Sequence, residues 1–328
     1  MGHARRHRSR HAPGVRVGHG GRPTDLAGPR SMLASLGLGA IAVLVLAVLA
    51  PATTSTSLPG LPQLPTAEAV GALAPEDYVD GACVALAPTA PDRGATVLLD
   101  AGHGAPDIGS TGVTGSGEKI PEKDLTLPLV LRAAEDLRAR GIRVALSRSI
   151  DAVGKKLGPG DVEAGALTES GLAAQLAARA RCANLAGADA LVSVHFNAFD
   201  EPDVDGFETL YDADRPFGAD NARLAQSLQS AIGAGYRAAG RDTDDRGVVG
   251  SDSTDKASNA AKDLVLLGAT PRGSDLPQSE MPGAVIEPLF ITDPSATDFV
   301  RSDEGRRVLA DSIGDGVEAF LRGPDPRR

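Results

Sequence analysis

Six histidines occur in the 328-residue chain, and they are unevenly spread. His3, His7, His11 and His19 sit in an Arg-rich head, so only His103 and His195 are available to a folded domain. Each follows a short apolar run: Thr96 to Asp100 (TVLLD) leads through Ala101 and Gly102 to His103, and Ala190 to His195 reads ALVSVH. Such runs read as buried strands, and open α/β sheets gather ligands at the carboxyl ends of their strands. Two imidazoles and a carboxylate form a catalytic metal set that leaves one coordination position for water. The alternative is that each histidine is a hydrogen-bonded structural residue without a ligand.

The acids and amides that could complete such a site fall in four motifs: LDAGHGAPDIGSTG, PEKDLTL, SVHFNA and GAVIEPLF, in that order. Together they resemble the zinc-dependent N-acetylmuramoyl-L-alanine amidases of the third amidase family, over about residues 95 to 321. The resemblance implies a Zn2+ site made by His103, Glu122 and His195. Glu118, four residues before Glu122 in a Gly-rich loop, is the competing carboxylate, and the Lys-Asp-Leu-Thr-Leu that follows Glu122 favours the latter. Without a metal, Glu122 reads as an acid at a helix start, favoured there by the macrodipole.

The last motif implies that Glu287 takes a proton from water and later gives it to the leaving amine. Its place inside the apolar run Ala284 to Phe290 would raise its pKa toward neutrality; the alternative is a solvated acid at a strand end. The chain departs from the family pattern just after it, with Pro288 in place of a small or flexible residue, which alters the backbone of the substrate wall. Asp100 and Asn197 flank the histidines: Asp100 is expected to orient a histidine from behind, Asn197 to bond substrate or hold its loop. Ser147, Arg148 and Asp151 resemble the family's structural Arg and Asp after the second strand.

The implied reaction is hydrolysis of the amide between N-acetylmuramic acid and the L-alanine of the peptidoglycan stem. The same metal set would serve a zinc peptidase acting on stem peptides. A wall-binding regulator on an inactive amidase fold is the non-enzymatic alternative, disfavoured because all four chemical positions hold competent residues.

The positioning elements follow from periodicity. Thr96–Asp100, Ile142–Ser147, Ala190–His195, Gly206–Tyr211, Leu264–Leu267 and Ala284–Phe290 read as strands. Glu122–Arg140, Gly171–Ala186, Asn221–Arg237 and Gly305–Leu321 read as helices, with Gly141 ending the first. Pro106–Ile120, 151–170 and Arg241–Lys262 read as loops. Strand-helix-strand order with short connections predicts an α/β single domain, a mostly parallel or mixed central sheet of about six strands covered by helices on both faces.

Composition frames that domain. The formal charge is -10; the first fifty residues hold seven Arg and one Asp, a net +6, so the remainder carries -16. An acidic domain argues against a nucleic-acid partner. Trp is absent and only 3 Tyr and 7 Phe occur, so the core must rest on aliphatic side chains.

Residues 1–31 read as a basic cytoplasmic head, 32–50 as an uncharged apolar run, 51–92 as a Pro/Thr/Ala-rich linker, 93–322 as the zinc amidase catalytic domain and 323–328 as a tail. The apolar run is a cleaved export signal or an uncleaved membrane anchor, and either sends the domain to the cell envelope. There Cys83 and Cys182 are expected to form one disulfide, the alternative being two buried thiols. No repeat or second module is visible, so a monomer that finds peptidoglycan unaided is expected.

Overall fold

Side-chain alternation along two strands shows how the central sheet is covered. Val97 and Leu99 point into one apolar cluster and Leu98 into another; Val192 and Val194 repeat the first and Leu191 the second. Strands buried on both faces need helices on both sides, and the structure, a computed structural model, has them. It describes residues 69–73, 75–251, 266–267 and 277–323. The basic head, the apolar run 32–50 and the tail from 324 lie outside the described residues, all of which belong to one compact unit, Ser57–Arg328.

The strands of the sheet are β1 (Ala69–Ala72), β2 (Ala82–Leu86), β3 (Thr96–Ala101), β6 (Arg143–Arg148), β9 (Ala190–Val194), β10 (Phe207–Tyr211), β11 (Asp245–Gly250) and β12 (Gly283–Glu287). Their spatial order is β1-β2-β6-β3-β9-β12-β10-β11. The central pairs β6–β3, β3–β9 and β9–β12 are parallel, as is β10–β11, while β1–β2, β2–β6 and β10–β12 are antiparallel. Two small hairpins, β4 (Thr111–Val113) with β5 (Lys119–Pro121) and β7 (Val162–Glu163) with β8 (Ala166–Leu167), stand apart from it.

Helices α1 (Lys123–Ala139), α3 (Gly218–Ala238) and α5 (Asp303–Leu321) supply Leu129, Leu137, Leu224, Leu228 and Ile313 to the first cluster. Helix α2 (Glu169–Leu185) supplies Leu176, Ala180 and Cys182 to the second. A short helix, α4 (Pro294–Arg301), precedes α5 and is capped by the Asp293 carboxylate on the Ser295 N–H. Helix α1 stops at Gly141, whose φ of +80° lets the Gly141 and Ile142 amides return to the Arg138 and Leu137 carbonyls. Each fully buried Leu of this core contributes roughly 1.5–3 kcal/mol.

The architecture is the expected α/β domain, with a larger sheet of eight strands. Strands β1 and β2 fall within the stretch 51–92 read as linker. Their small Ala- and Gly-containing runs are short and lie among prolines, so no apolar period stands out, but β2 covers the edge of β6. Strand β11 lies in the segment read as loop: at a sheet edge, with only two valines, it needs no apolar face. Of the strand expected at Leu264–Leu267, residues 264 and 265 lie outside the described residues, while Leu266 and Leu267 form a buried turn that reaches the second cluster. Strand β12 ends at Glu287, three residues before the expected Phe290, because Pro288 has no N–H for the ladder. Among the described residues, no helix is long and apolar enough to cross a membrane.

Candidate metal centre

The parallel pairing of β3 with β9 places Ala101 opposite Val194, so the residues just beyond each strand lie abreast. There the chain turns sharply. Gly102 leaves room for the neighbouring ring, since a Cβ on it would lie 2.5 Å from the His195 imidazole. His103 adopts φ of 60°, unusual for a side-chain-bearing residue, and aims its ring at that of His195 with centroids 4.7 Å apart.

Glu122, at the start of α1, reaches both rings. Its Oε2 lies 3.1 Å from His103 Nε2 and its Oε1 3.2 Å from His195 Nδ1, while the two ring nitrogens are 3.1 Å apart. The carboxylate is 2 % exposed and also accepts the Ser110 and Phe196 amides, each at 2.9 Å. One donor atom from each of His103, Glu122 and His195 thus lies within 4.8 Å of the others, a set able to hold a metal ion. Glu118 is elsewhere: its half-exposed side chain pairs with Arg301 at 2.8 Å.

The charge of this cluster explains its titration. Burial opposes the His103 cation, yet its hydrogen bonds to the Asp107 and Glu122 carboxylates push its pKa up to about 10. Burial likewise opposes the Glu122 anion, and the two imidazoles overcome it, holding the carboxyl far below its ordinary range. A buried anion flanked by two imidazoles demands positive charge, supplied by a proton or by a cation.

Behind the histidines a polar scaffold fixes the turn. Asp107 Oδ2 sits 2.9 Å from His103 Nδ1, and its other oxygen accepts the Gly109 amide at 3.1 Å. Two buried guanidinium groups hold the carbonyls around His103. Arg148 donates to Ala101 O and Gly102 O, both at 2.9 Å, and Arg179 donates to Ala101 O at 2.8 Å and to His103 O. Thr126 Oγ1 adds a bond to Gly102 O at 2.8 Å. Burial and the adjacent Arg179 charge bring Arg148 down to about 10.

Of the residues expected from sequence to flank the histidines, Asp100 is fully buried and bonds Arg179 Nη1 at 2.7 Å and Ser193 Oγ at 2.6 Å; its hydrogen bonds do not go to a histidine. It shares the Leu98 side of β3 and so meets α2, acting on His103 through Arg179. Asn197 donates Nδ2–H to Glu208 Oε1 at 2.6 Å. Glu287 ends β12, is 7 % exposed and lines the same cleft of about 420 Å³ as His103, Glu122, His195 and Asn197. Ser147 is buried, and Asp151 holds Lys123 at 2.6 Å and accepts the Ala105 amide.

Cys83 of β2 and Cys182 of α2 are joined in a disulfide, with Cα atoms 5.5 Å apart.

Asp107, Arg179 and Glu208 escape the sequence reading. Asp107 lies inside the first motif, four residues past His103, where its carboxylate could have been paired with the ring. Arg179 is a charge on the apolar stripe Leu172, Leu176, Ala180, Ala183 of α2, a position that requires a buried acceptor. Glu208 carries no such signal, since an acid in a strand is ordinarily solvated.

Residues 97–319 match the sequence profile of the family described as N-acetylmuramoyl-L-alanine amidase. The chain is 29 % identical to the uncharacterised protein YqiI of Bacillus subtilis over 73 % of its own length and 93 % of that protein. It is 28 % identical to the N-acetylmuramoyl-L-alanine amidase LytC of Bacillus subtilis, over 71 % of this chain and 36 % of LytC. The crystal structure of an N-acetylmuramoyl-L-alanine amidase from Clostridium difficile 630 superposes with a TM-score of 0.52 at 28 % identity, covering 70 % of this chain and 98 % of that one.

Proposed function

Because the chain belongs to the N-acetylmuramoyl-L-alanine amidase family, we propose that it hydrolyses the amide between N-acetylmuramic acid and the L-alanine of the peptidoglycan stem, using zinc held by His103, Glu122 and His195. The observation that carries this reading is the mutual spacing of the three donors. Zn–N and Zn–O bonds of 2.0–2.1 Å in a tetrahedron set its edges at about 3.3 Å; the two ring nitrogens stand 3.1 Å apart, each lies 3.1 to 3.2 Å from one of the two Glu122 oxygens, and one donor atom from each residue lies within 4.8 Å of the others. The donor set, two imidazoles and one carboxylate, is also that of catalytic zinc, with a fourth position left for water.

A zinc ion there supplies a water of lowered pKa and a Lewis acid for the amide carbonyl. The chain supplies the proton path. Glu287, on the cleft wall, takes a proton from the attacking water as the new C–O bond forms, then delivers it to the alanine nitrogen as the C–N bond breaks. The products are a muramoyl carboxylate and a stem peptide with a free L-alanine amine. Asp107, Arg148 and Arg179 hold His103 in its turn while this occurs.

Such a substrate lies outside the cytoplasm. The Arg-rich head and the apolar run 32–50 support delivery to the cell envelope, as a released or a membrane-held enzyme.

The test is digestion of purified peptidoglycan with and without a chelator, followed by mass spectrometry. Stem peptides beginning with L-alanine, lost on chelation and restored by zinc, are expected. Products that leave L-alanine on muramic acid would make the chain a peptidase, and no release under any condition would remove the hydrolytic reading.

A further inference from the structure

Asn197 is unusual in how few of its hydrogen-bonding atoms remain open. Its backbone N–H donates to Leu289 O at 3.0 Å, its carbonyl accepts from Ile291 N at 2.8 Å, and its Nδ2 donates to Glu208 at 2.6 Å. Among the described residues, Oδ1 and the second Nδ2–H have no protein partner, and Asn197 lines the cleft beside His195 and Glu287. An amide group can be turned end for end, but a carboxylate accepts and does not donate. Glu208 therefore fixes which end is which: it takes the NH2 and leaves the oxygen without a protein partner. The backbone that carries Glu208 is set by the sheet, because β10 pairs with β12 so that Glu208 lies directly across from Glu287.

We infer that Asn197 Oδ1 is the acceptor for a secondary-amide N–H of bound substrate, held in that orientation by Glu208. The inference rests on the amidase reading, whose substrate carries such groups both in the stem peptide and in the 2-acetamido substituent of the sugar. Asn197 then contacts substrate, and Glu208 is a positioning residue acting through it. The pair gives the site a preference for amide over ester at one link, since an ester offers no donor to an acceptor already turned toward it.

The test uses the zinc-loaded full chain, the variants Asn197→Ala and Glu208→Ala, and four synthetic muramoyl peptides. One is the parent; the others replace with an oxygen the scissile N–H, the next peptide N–H, or the acetamido N–H. For the parent, Asn197→Ala is expected to lower kcat/KM about three- to tenfold, the weight of one neutral hydrogen bond, with zinc content unchanged. Glu208→Ala should lose part of the same factor. For one of the three oxygen analogues the loss should vanish in both variants, which identifies the N–H. Comparing variant with wild type on each analogue cancels its intrinsic reactivity. A loss of equal size on every substrate would overturn the inference and make Asn197 a loop residue only, and so would no loss on the parent. If Asn197→Ala does not fold, Glu208→Ala on the same substrates decides the matter by the same criteria. Failure of the wild type to cleave even the parent would instead overturn the amidase reading itself.

Discussion

His103 Nδ1 lies 2.9 Å from Asp107 Oδ2, and that contact turns the opposite nitrogen of the ring, Nε2, toward Glu122. A carboxylate behind an imidazole fixes its tautomer and raises its basicity as a ligand. Asp107→Ala is therefore expected to weaken zinc binding by about 10- to 100-fold, read by competition against a chromogenic chelator. Unchanged affinity would mean that the turn alone orients the ring.

Metal binding should depend on pH in a direction fixed by His103. Its pKa is raised to about 10, so below that pH its ring carries a proton that a cation must displace. Zinc affinity should rise with pH toward about 10 and fall as pH drops, with about one proton released on binding at neutrality. Calorimetry in two buffers of different ionisation enthalpy measures the release. His103→Ala and His195→Ala should each abolish stoichiometric zinc by elemental analysis.

Glu287→Gln preserves size and removes the base. Turnover should fall by about 10²–10⁴-fold while zinc content stays at the wild-type level. Loss of zinc would assign Glu287 to the metal; near-normal turnover would remove it from the proton path.

The Asp100–Arg179 pair is a buried ion pair with side chains 0 % and 5 % exposed. Asp100→Asn leaves the guanidinium without its counter-charge and should cost about 3–5 kcal/mol, measured by denaturant unfolding of chelator-treated protein. Burial opposes the Asp100 charge, but Arg179 and the Ser193 hydroxyl hold its carboxyl below the ordinary range. Its contribution is therefore complete above the unfolded value of about 3.9 and is lost as pH falls through the folded one. The variant should accordingly show a shallower acid limb than the wild type. An identical acid limb would place the pH dependence on other carboxyls.

The disulfide closes a sequence separation of 99 residues. Replacing Cys83 and Cys182 together by Ser should lower stability by about 2–5 kcal/mol. Thiol counting under denaturing, non-reducing conditions should find no free thiol in wild-type protein recovered from outside the cytoplasm.

The strand ends that carry His103 and His195 were legible because both lie on strands buried on two faces, where nearly every side chain is apolar and the run is unbroken. Glu122 was legible through the motif around it and not through periodicity, since acids are common at helix starts. The edges of the sheet were not legible. Strands β1, β2 and β11 are short, rich in small residues or half-exposed, so their pairing is decided by the neighbour they cover. Arg148 shows through the motif around it, whereas Arg179 is hidden for a related reason: it bonds backbone carbonyls, and no side-chain pattern marks where a turn will present them. Asp100 was expected behind a histidine; strand alternation sends it toward α2, where it bonds Arg179 and Ser193.

The register between β3 and β9, with Ala101 opposite Val194, ties the metal centre to the correctness of the whole sheet. His103 and His195 are 92 positions apart in the chain, so neither can find the other through local structure. A slip of one residue would turn the side chains of β9 to the opposite face and carry the His195 ring away from Glu122. Only the chain paired in true register has the three-donor clasp, so a zinc ion bound by that state alone would draw the equilibrium toward it. Such an ion would reward one strand pairing among its near neighbours, a proofreader of topology before any chemistry.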